Sequence, residues 1–361
     1  LPFNRGMHNF DEVRTEYFGD SLVIFEAFKA GELMSYRETN PAKWASNYDF
    51  PATRSGDVIK AEIPHSRPSG IEGFAFNMRR PAFADWRVRE ALTLAFNFEL
   101  VNMTLNAGAL PRITSYFGNS PLSGDVANPA AGKVLALLEP YRDSLLPGAI
   151  EGYTLPPSDG SEANRANLRR ATALLEEAGY VVDGGVLKDP SGAPFAFEIL
   201  LQIGADDTIA AASIYVEALK RLGIEARVTT VDSAQYKERT TAFDFDMTHY
   251  IRSLSLSPGN EQVLYWGSSG INEPGSRNWM GINSPAVDGL IQTMLTSADP
   301  ADFTAAVQAL DRVLTTGRYV VPFGYSPVAR LAYSKKLHYP EKLPLYGDWL
   351  GFQPDVWWYQ E

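Results

Sequence analysis

The 361-residue sequence contains no cysteine. Disulfides, thiolate metal sites and cysteine nucleophiles are therefore excluded. The absence leaves the compartment open, because a cysteine-free chain suits reducing and oxidising surroundings alike. Histidine is scarce: there are four, His8, His65, His249 and His338. No two stand three or four apart, so a helical zinc site has no support. Positive charge is outnumbered, with 32 Lys and Arg against 43 Asp and Glu and a net charge of −11. Nucleic acid and anionic membrane surfaces are poor partners for such a chain. No run of about 18 apolar residues occurs, so no stretch reads as a membrane-spanning helix. Neither G-x-S-x-G nor a Walker phosphate loop is present. The opening residues, LPFNRGMHNF, have the pattern neither of a signal peptide nor of an ordinary start.

What is present is an ordinary globular composition, 45% hydrophobic and 21% charged. The length suits two lobes. Residues 9–36 read as a strand over FDEVRTEYF, a helix over SLVIFEAFKAGEL and a second short strand. Leu22, Phe25, Phe28 and Leu33 form that helix's apolar stripe, and Gly31 stops it. Residues 37–70 read as turn-rich, with four prolines. Phe74 and Phe76 alternate as a strand, and Asp85 opens a helix with Val88, Leu92, Ala95 and Phe96 on one side. Residues 108–160 read as a long surface connection, a type that is often functional.

Residues 161–250 give helix, strand, helix, strand, helix, strand, which implies parallel pairing. In open α/β sheets ligands bind beyond the carboxyl ends of the strands. Those ends fall at residues 202–207, 231–236 and 250 onward. The stretch SLSLSPGNEQVLYWGSSG, residues 253–270, begins where the third strand ends, and so belongs on the cleft face. Residues 284–317 read as two helices, YVVPFGYSPVARLAYS as strands, and the Trp-rich tail as packed into a groove.

Reactive constellations are weak. Asp244 and Asp246 in FDFDM share a strand face, which fits acid–base work or a solvated, backbone-bonding pair. His249 fits a ligand contact or a hydrogen-bonded strand histidine. Arg165, Arg169 and Arg170 fall on the exposed side of their helix. The remaining Ser, Asn, Trp and Tyr suit recognition better than reaction: Trp offers flat apolar surface, and hydroxyls and amides adapt to the ligand's polarity. Backbone groups around glycine can also pair with an extended main chain.

Several blocks, in order, resemble the peptide-type (family 5) periplasmic solute-binding proteins of ABC importers. They are GFAFNMRRPAFADWRVREALTLAFNFELVN, AFDFDM, SLSPGNEQ…YWGS, PGSRNWMGINSPAVDGLI and VPFGY. With NRANLRRATALLEEAGY and NFDEVRTEYFGDSLVIFEAFKAGE, the match is most similar to the YejA-like oligopeptide-binding branch. The resemblance implies an α/β, two-lobe periplasmic binding protein fold of type II, peptide-binding class. It implies a monomeric receptor, not an enzyme, in the periplasm of a Gram-negative cell. Such a receptor closes over peptides or peptide conjugates in an interlobe cleft and delivers them to ABC permease subunits, without cofactor or metal. The family pattern extends further on its N-terminal side, so the first lobe is expected to be incomplete, with unpaired edges or apolar surface. The expected division is residues 1–64 as partial first lobe, 65–330 as the second lobe and 331–361 as the return to the first.

Ligand contacts are expected at Arg252, Ser253, Ser255, Ser257, Asn260, Glu261, Trp266, Ser268, Ser269 and Asn278. Where the family commonly places an Asp for the ligand's ammonium, this chain has Ser255, which leaves Glu261 as a candidate counter-charge. Arg252 stands where an aromatic residue is usual, and suits either a ligand carboxylate or phosphate or solvent. Trp266 suits stacking or core packing, and Ser268 and Ser269 suit ligand contact or turn bonds. Asn77 suits a cap at the strand-to-loop junction or a ligand contact; Arg277 and Trp279 equally suit holding the loop together. Two alternatives stand beside the peptide receptor: a same-fold receptor for a saccharide or metal chelate, and a hydrolase using Asp244 and Asp246.

Overall fold

Alternating β-branched and aromatic residues set twelve short strands in the computed structural model, which describes residues 4–18 and 21–361. In chain order these are β1 (Ser35–Glu38), β2 (Val58–Pro64), β3 (Ile71–Phe76), β4 (Val181–Asp183), β5 (Val186–Lys188) and β6 (Ala196–Gln202). They continue with β7 (Glu225–Val231), β8 (Met247–Arg252), β9 (Val320–Pro322), β10 (Val328–Ser334), β11 (Leu337–His338) and β12 (Trp358–Tyr359). The chain divides into two units: residues 1–67 with 326–361, and residues 68–325.

The larger unit is built on a five-stranded sheet in the order β7-β6-β8-β3-β9. As the helix–strand alternation implies, β6 runs parallel to both β7 and β8. Strand β3, however, runs antiparallel to β8 and to β9, so the sheet is mixed. Gly73 makes that arrangement possible. Its φ is +156°, and a Cβ there would lie 1.9 Å from the Val321 carbonyl oxygen. Helices Trp86–Ala95, Arg165–Glu177 and Asp206–Lys220 bury one face over Phe74, Phe76, Tyr215 and Leu201. Asp85 caps the first of them by accepting from the Arg87 N–H. Helices Pro285–Thr296 and Pro300–Thr316 cover the other face over Ile71, Ala75, Tyr250 and Trp266. Each starts on a capping side chain, Ser284 or Asp299, followed by proline at the first helical position. Residues 108–160 are largely irregular but include a helix over Gly132–Leu138.

Sequence patterning missed a hairpin, β4–β5. Its turn is Asp183-Gly184-Gly185, with both glycines at positive φ, and an Asp-Gly or Gly-Gly pair between apolar residues is a known hairpin signal.

The smaller unit holds a three-stranded antiparallel sheet, β1-β10-β2. Two sequence expectations fail in it. Residues 9–17 form no strand and Val13 is exposed, because one alternating apolar position offers too little burial. Residues 37–70 contain two helices, Pro41–Ser46 and Pro51–Arg54, and the whole of β2, because proline here opens helices rather than breaking structure. Helix Ser21–Lys29 buries Ala27 and Phe28, whereas Leu22 from the expected stripe is exposed. The aromatic tail packs inward: Phe352 and Trp357 join Ile63, Leu331, Tyr333 and Leu337.

Candidate functional site

Strand direction selects one edge of the large sheet. Strands β6, β7, β8 and β9 all end there, and antiparallel β3 begins there. Alternation then sorts the residues near that edge. Glu72, Phe74, His249 and Ile251 share one face, since Glu72 pairs with Ile251 and Phe74 with His249. His249 lies 3.2 Å from a Glu72 carboxylate oxygen and stacks on Phe323, so it is a partnered strand histidine. Ile251 is exposed, as is Ile203 just past β6. The opposite face carries Tyr250 and Arg252. The Arg252 guanidinium sits 4.5 Å from the Tyr265 ring centroid and 5.3 Å from that of Tyr250, with its Nε–H donating to the Tyr250 hydroxyl at 3.3 Å.

The segment after β8 is anchored by buried Leu254. Around that anchor, Ser253, Ser257, Asn260 and Ser269 are exposed, and Ser255 and Ser268 are half-buried. The Ser255 hydroxyl accepts from the Ser257 N–H at 3.2 Å. Glu261 accepts from the Gly259 N–H at 2.8 Å and from the Gln262 amide at 3.2 Å, so its carboxylate stabilises the first turn of helix Glu261–Trp266. The Ser268 N–H donates to Asp288 at 2.9 Å, a turn-fixing bond.

Two expected contact residues lie elsewhere. Trp266 has no exposed surface; it packs edge-on against Tyr116 and donates to Gln262. Asn278 is equally buried, donating to the Gly267 and Ile282 carbonyls and accepting from the Ile282 N–H. Both hold the loop's shape rather than offering surface to a ligand. Bulky aromatic rings and multivalent amides are the groups a long loop needs to close on itself.

A model of the bacterial extracellular solute-binding proteins, family 5 (middle), matches residues 3–273. The chain belongs to that family. Among its relatives, a Brucella melitensis protein is 42% identical over 360 residues, covering 99% of this chain and 58% of its own. The peptidoglycan-binding protein YepA of Agrobacterium fabrum is 37% identical over 368 residues, covering 99% of this chain and 58% of its own. YejA of Escherichia coli K12 is 36% identical over 363 residues with the same two coverages. This chain thus spans little more than half the length of these relatives. The oligopeptide-binding protein AppA of Bacillus subtilis, solved with a nonapeptide, superposes with a TM-score of 0.71 at 19% identity, over 95% of this chain and 59% of its own. That likeness establishes the two-lobe type II α/β fold.

In this family 5 chain the Asp244–Asp246 pair is removed from the carboxyl edge. It precedes β8, at the opposite end of the strand. Arg80 meets Asp244 at 3.2 Å and Asp246 at 3.0 Å, Arg239 meets Asp244, and Asp246 also accepts from the Glu198 N–H. Both carboxylates are already engaged by cations, which argues against the hydrolase alternative. Asn77 is fully buried and donates to the Phe243 and Phe245 carbonyls, a junction cap.

Sequence reasoning passed over Arg79. Its guanidinium donates to the Ile271, Asn278 and Trp279 carbonyls and to Asn77, and lies 3.8 Å from the Phe243 ring centroid. Burial pulls its pKa down to about 10. Arg79 ties both ends of residues 271–279 together, and the Tyr250 hydroxyl adds a bond by donating to the Arg277 carbonyl at 3.3 Å. Among the described residues, no group of three or more His, Cys, Asp or Glu side chains could hold a metal ion, and no helix is long and apolar enough to cross a membrane.

Proposed function

We propose that this protein is an extracytoplasmic receptor that captures peptides or peptide conjugates and delivers them to an ABC permease. Family membership across three-quarters of the chain carries this reading. The similarity to YepA, named for peptidoglycan binding, and to AppA, solved with a nonapeptide, supports a peptide-containing cargo. The carboxyl edge of the large sheet supplies contacts of the right kind. Ser253, Ser255, Ser257, Asn260 and Ser269 offer adaptable hydrogen bonds, Arg252 offers a charge, and exposed Ile203 and Ile251 offer apolar surface. The working form is a monomer in the periplasm.

Purified protein, unfolded to release carried-over ligand and refolded, is to be screened by native mass spectrometry against short peptides, muropeptide fragments and oligosaccharides. A bound peptide or muropeptide at one-to-one stoichiometry, chemically unchanged on recovery, is the expected result. The matching thermal shift corresponds to about 2.7 kcal/mol at a ligand concentration 100 times Kd. Binding of saccharides alone would replace the peptide reading with the non-peptide cargo.

A further inference from the structure

We infer that Arg252, held against the Tyr250 and Tyr265 rings, together with Arg277, whose carbonyl meets the Tyr250 hydroxyl, forms a subsite for an anionic oxygen group on the ligand, a carboxylate or a phosphate. This deepens the receptor reading and rests on it for the identity of the larger ligand, but the subsite is testable by itself.

Arg252 carries the inference. Its guanidinium is half-buried, 4.5 Å from one tyrosine ring centroid and 5.3 Å from the other, with Nε spent on the Tyr250 hydroxyl. That bond and those rings fix the plane of the fork. No carboxylate among the described residues forms an ion pair with it, so both terminal nitrogens keep their donors for something else. The same holds for exposed Arg277, whose carbonyl the Tyr250 hydroxyl reaches at 3.3 Å. Both cations lie near enough to the Tyr250 hydroxyl to favour its ionised form, although burial outweighs them and raises its pKa.

A chain with net charge −11 has carboxylates to spare, and yet leaves the Arg252 guanidinium, at the end of β8, without an ion pair among the described residues. A stacked guanidinium is pre-organised for planar, two-pronged recognition of carboxylate or phosphate oxygens. Stacking on tyrosine favours the cation without consuming its terminal donors. The serines that follow, Ser253 and Ser255, add short neutral donors that leave an anion's charge uncontested. Glu261, the first acid after Arg252 in the sequence, is turned to its own helix start.

The test reads the arginine Nε–H resonances of the whole chain by NMR while sodium acetate, then inorganic phosphate, is added. Arg252→Gln and Arg277→Gln variants supply the assignments. Resonances of Arg252 and Arg277 are expected to move at anion concentrations that leave the exposed helix arginines Arg165, Arg169 and Arg170 unmoved. The Arg277 response should weaken in Arg252→Gln. Acetate against phosphate distinguishes the two sources of the anion. Calorimetry then compares Ala-Glu-Ala with the uncharged-side-chain amide Ala-Gln-Ala-NH2. The acidic peptide should bind about tenfold more tightly or better, the scale of a charge-assisted hydrogen bond. Arg252→Gln, checked for an unchanged fold by circular dichroism, should erase that preference. Resonances that move no more than those of the helix arginines would overturn the subsite, even if peptides bind, and so would equal affinity for the two peptides. Selective movement with neither peptide binding would keep the subsite and count against the peptide reading.

Discussion

The indole N–H of Trp266 donates to the side-chain carbonyl of Gln262 at 2.7 Å, and neither residue has exposed surface. The bond spans one turn of helix Glu261–Trp266, within the core that also holds Tyr116 and Tyr250. Gln262→Leu leaves a buried N–H unpaired, which costs about 1–3 kcal/mol. Trp266→Phe added to Gln262→Leu is expected to cost less than the sum of the single changes, because the orphaned donor goes with the ring. Urea denaturation of the four proteins checks this; strictly additive losses would contradict it.

Glu90 and Arg318 form an ion pair at 2.8 Å with both side chains only 6% exposed, and the Tyr153 hydroxyl also donates to Glu90 at 2.8 Å. Glu90→Gln is expected to destabilise the larger unit by about 3–5 kcal/mol, since it leaves a buried cation without its counter-charge. Asp246→Asn, at a partly exposed ion pair, is expected to cost under about 1 kcal/mol. Paired denaturation curves measure the contrast. Mass spectrometry of peptides incubated with either Asp246 form should find no cleavage products.

Acidification is expected to push the two units in opposite directions. Burial lifts Asp311 to about 6 from 3.8, despite hydrogen bonds from Ser115, Tyr116, Phe117 and Thr315. The folded state therefore takes up this proton first, and the larger unit gains stability as pH falls from about 6 towards 3.8, by on the order of 3 kcal/mol at most. His65, in the smaller unit, is lowered from 6.5 to about 4 by burial and by the Arg67 charge, against its bond to the Ser326 carbonyl. Its unfolded form binds the proton first, so stability is lost between pH 6.5 and 4. Hydrogen exchange at pH 7 and pH 5, corrected for intrinsic rates, separates the units. Asp311→Asn should remove the gain and His65→Gln should remove the loss; variants that leave both pH responses intact would refute the assignment.

Gly73→Ala is expected to disrupt pairing between β3 and β9, because the new Cβ would collide with the Val321 carbonyl at 1.9 Å. The cost should reach the upper part of the range of about 1–3 kcal/mol typical of overpacking. The exposed Gly184, at φ +59° with open space around it, should lose less on the same change. Thermal unfolding of the two variants ranks them.

Local signals made the α/β stretch from residue 165 to 252 readable. Its apolar stripes, such as Ala211, Tyr215, Ala218 and Leu222, are buried together. Capping followed local chemistry as well, at Asp85 and at the Ser284-Pro285 and Asp299-Pro300 starts. The direction of β3 was not readable, because its partners β8 and β9 lie more than 150 residues away and pairing sense has no local signature. At the candidate site the position of the 253–270 loop followed from strand order, but the inward turn of Trp266 and Asn278 did not. A loop aromatic or amide looks the same in sequence whether it meets a ligand or a neighbouring carbonyl. Arg79 escaped notice because carbonyl acceptors leave no trace in residue identity.

The small sheet takes its central strand, β10, from the C-terminal segment and both flanking strands, β1 and β2, from the N-terminal one. During synthesis, at about 5–20 residues per second, Tyr36 and Ile59 leave the ribosome long before their partners Ala332 and Tyr333 exist. The larger unit is one uninterrupted stretch and can assemble as it emerges. The smaller one must hold its early strands unpaired until β10 is made, which is the interval when a chaperone or a stray strand would find them.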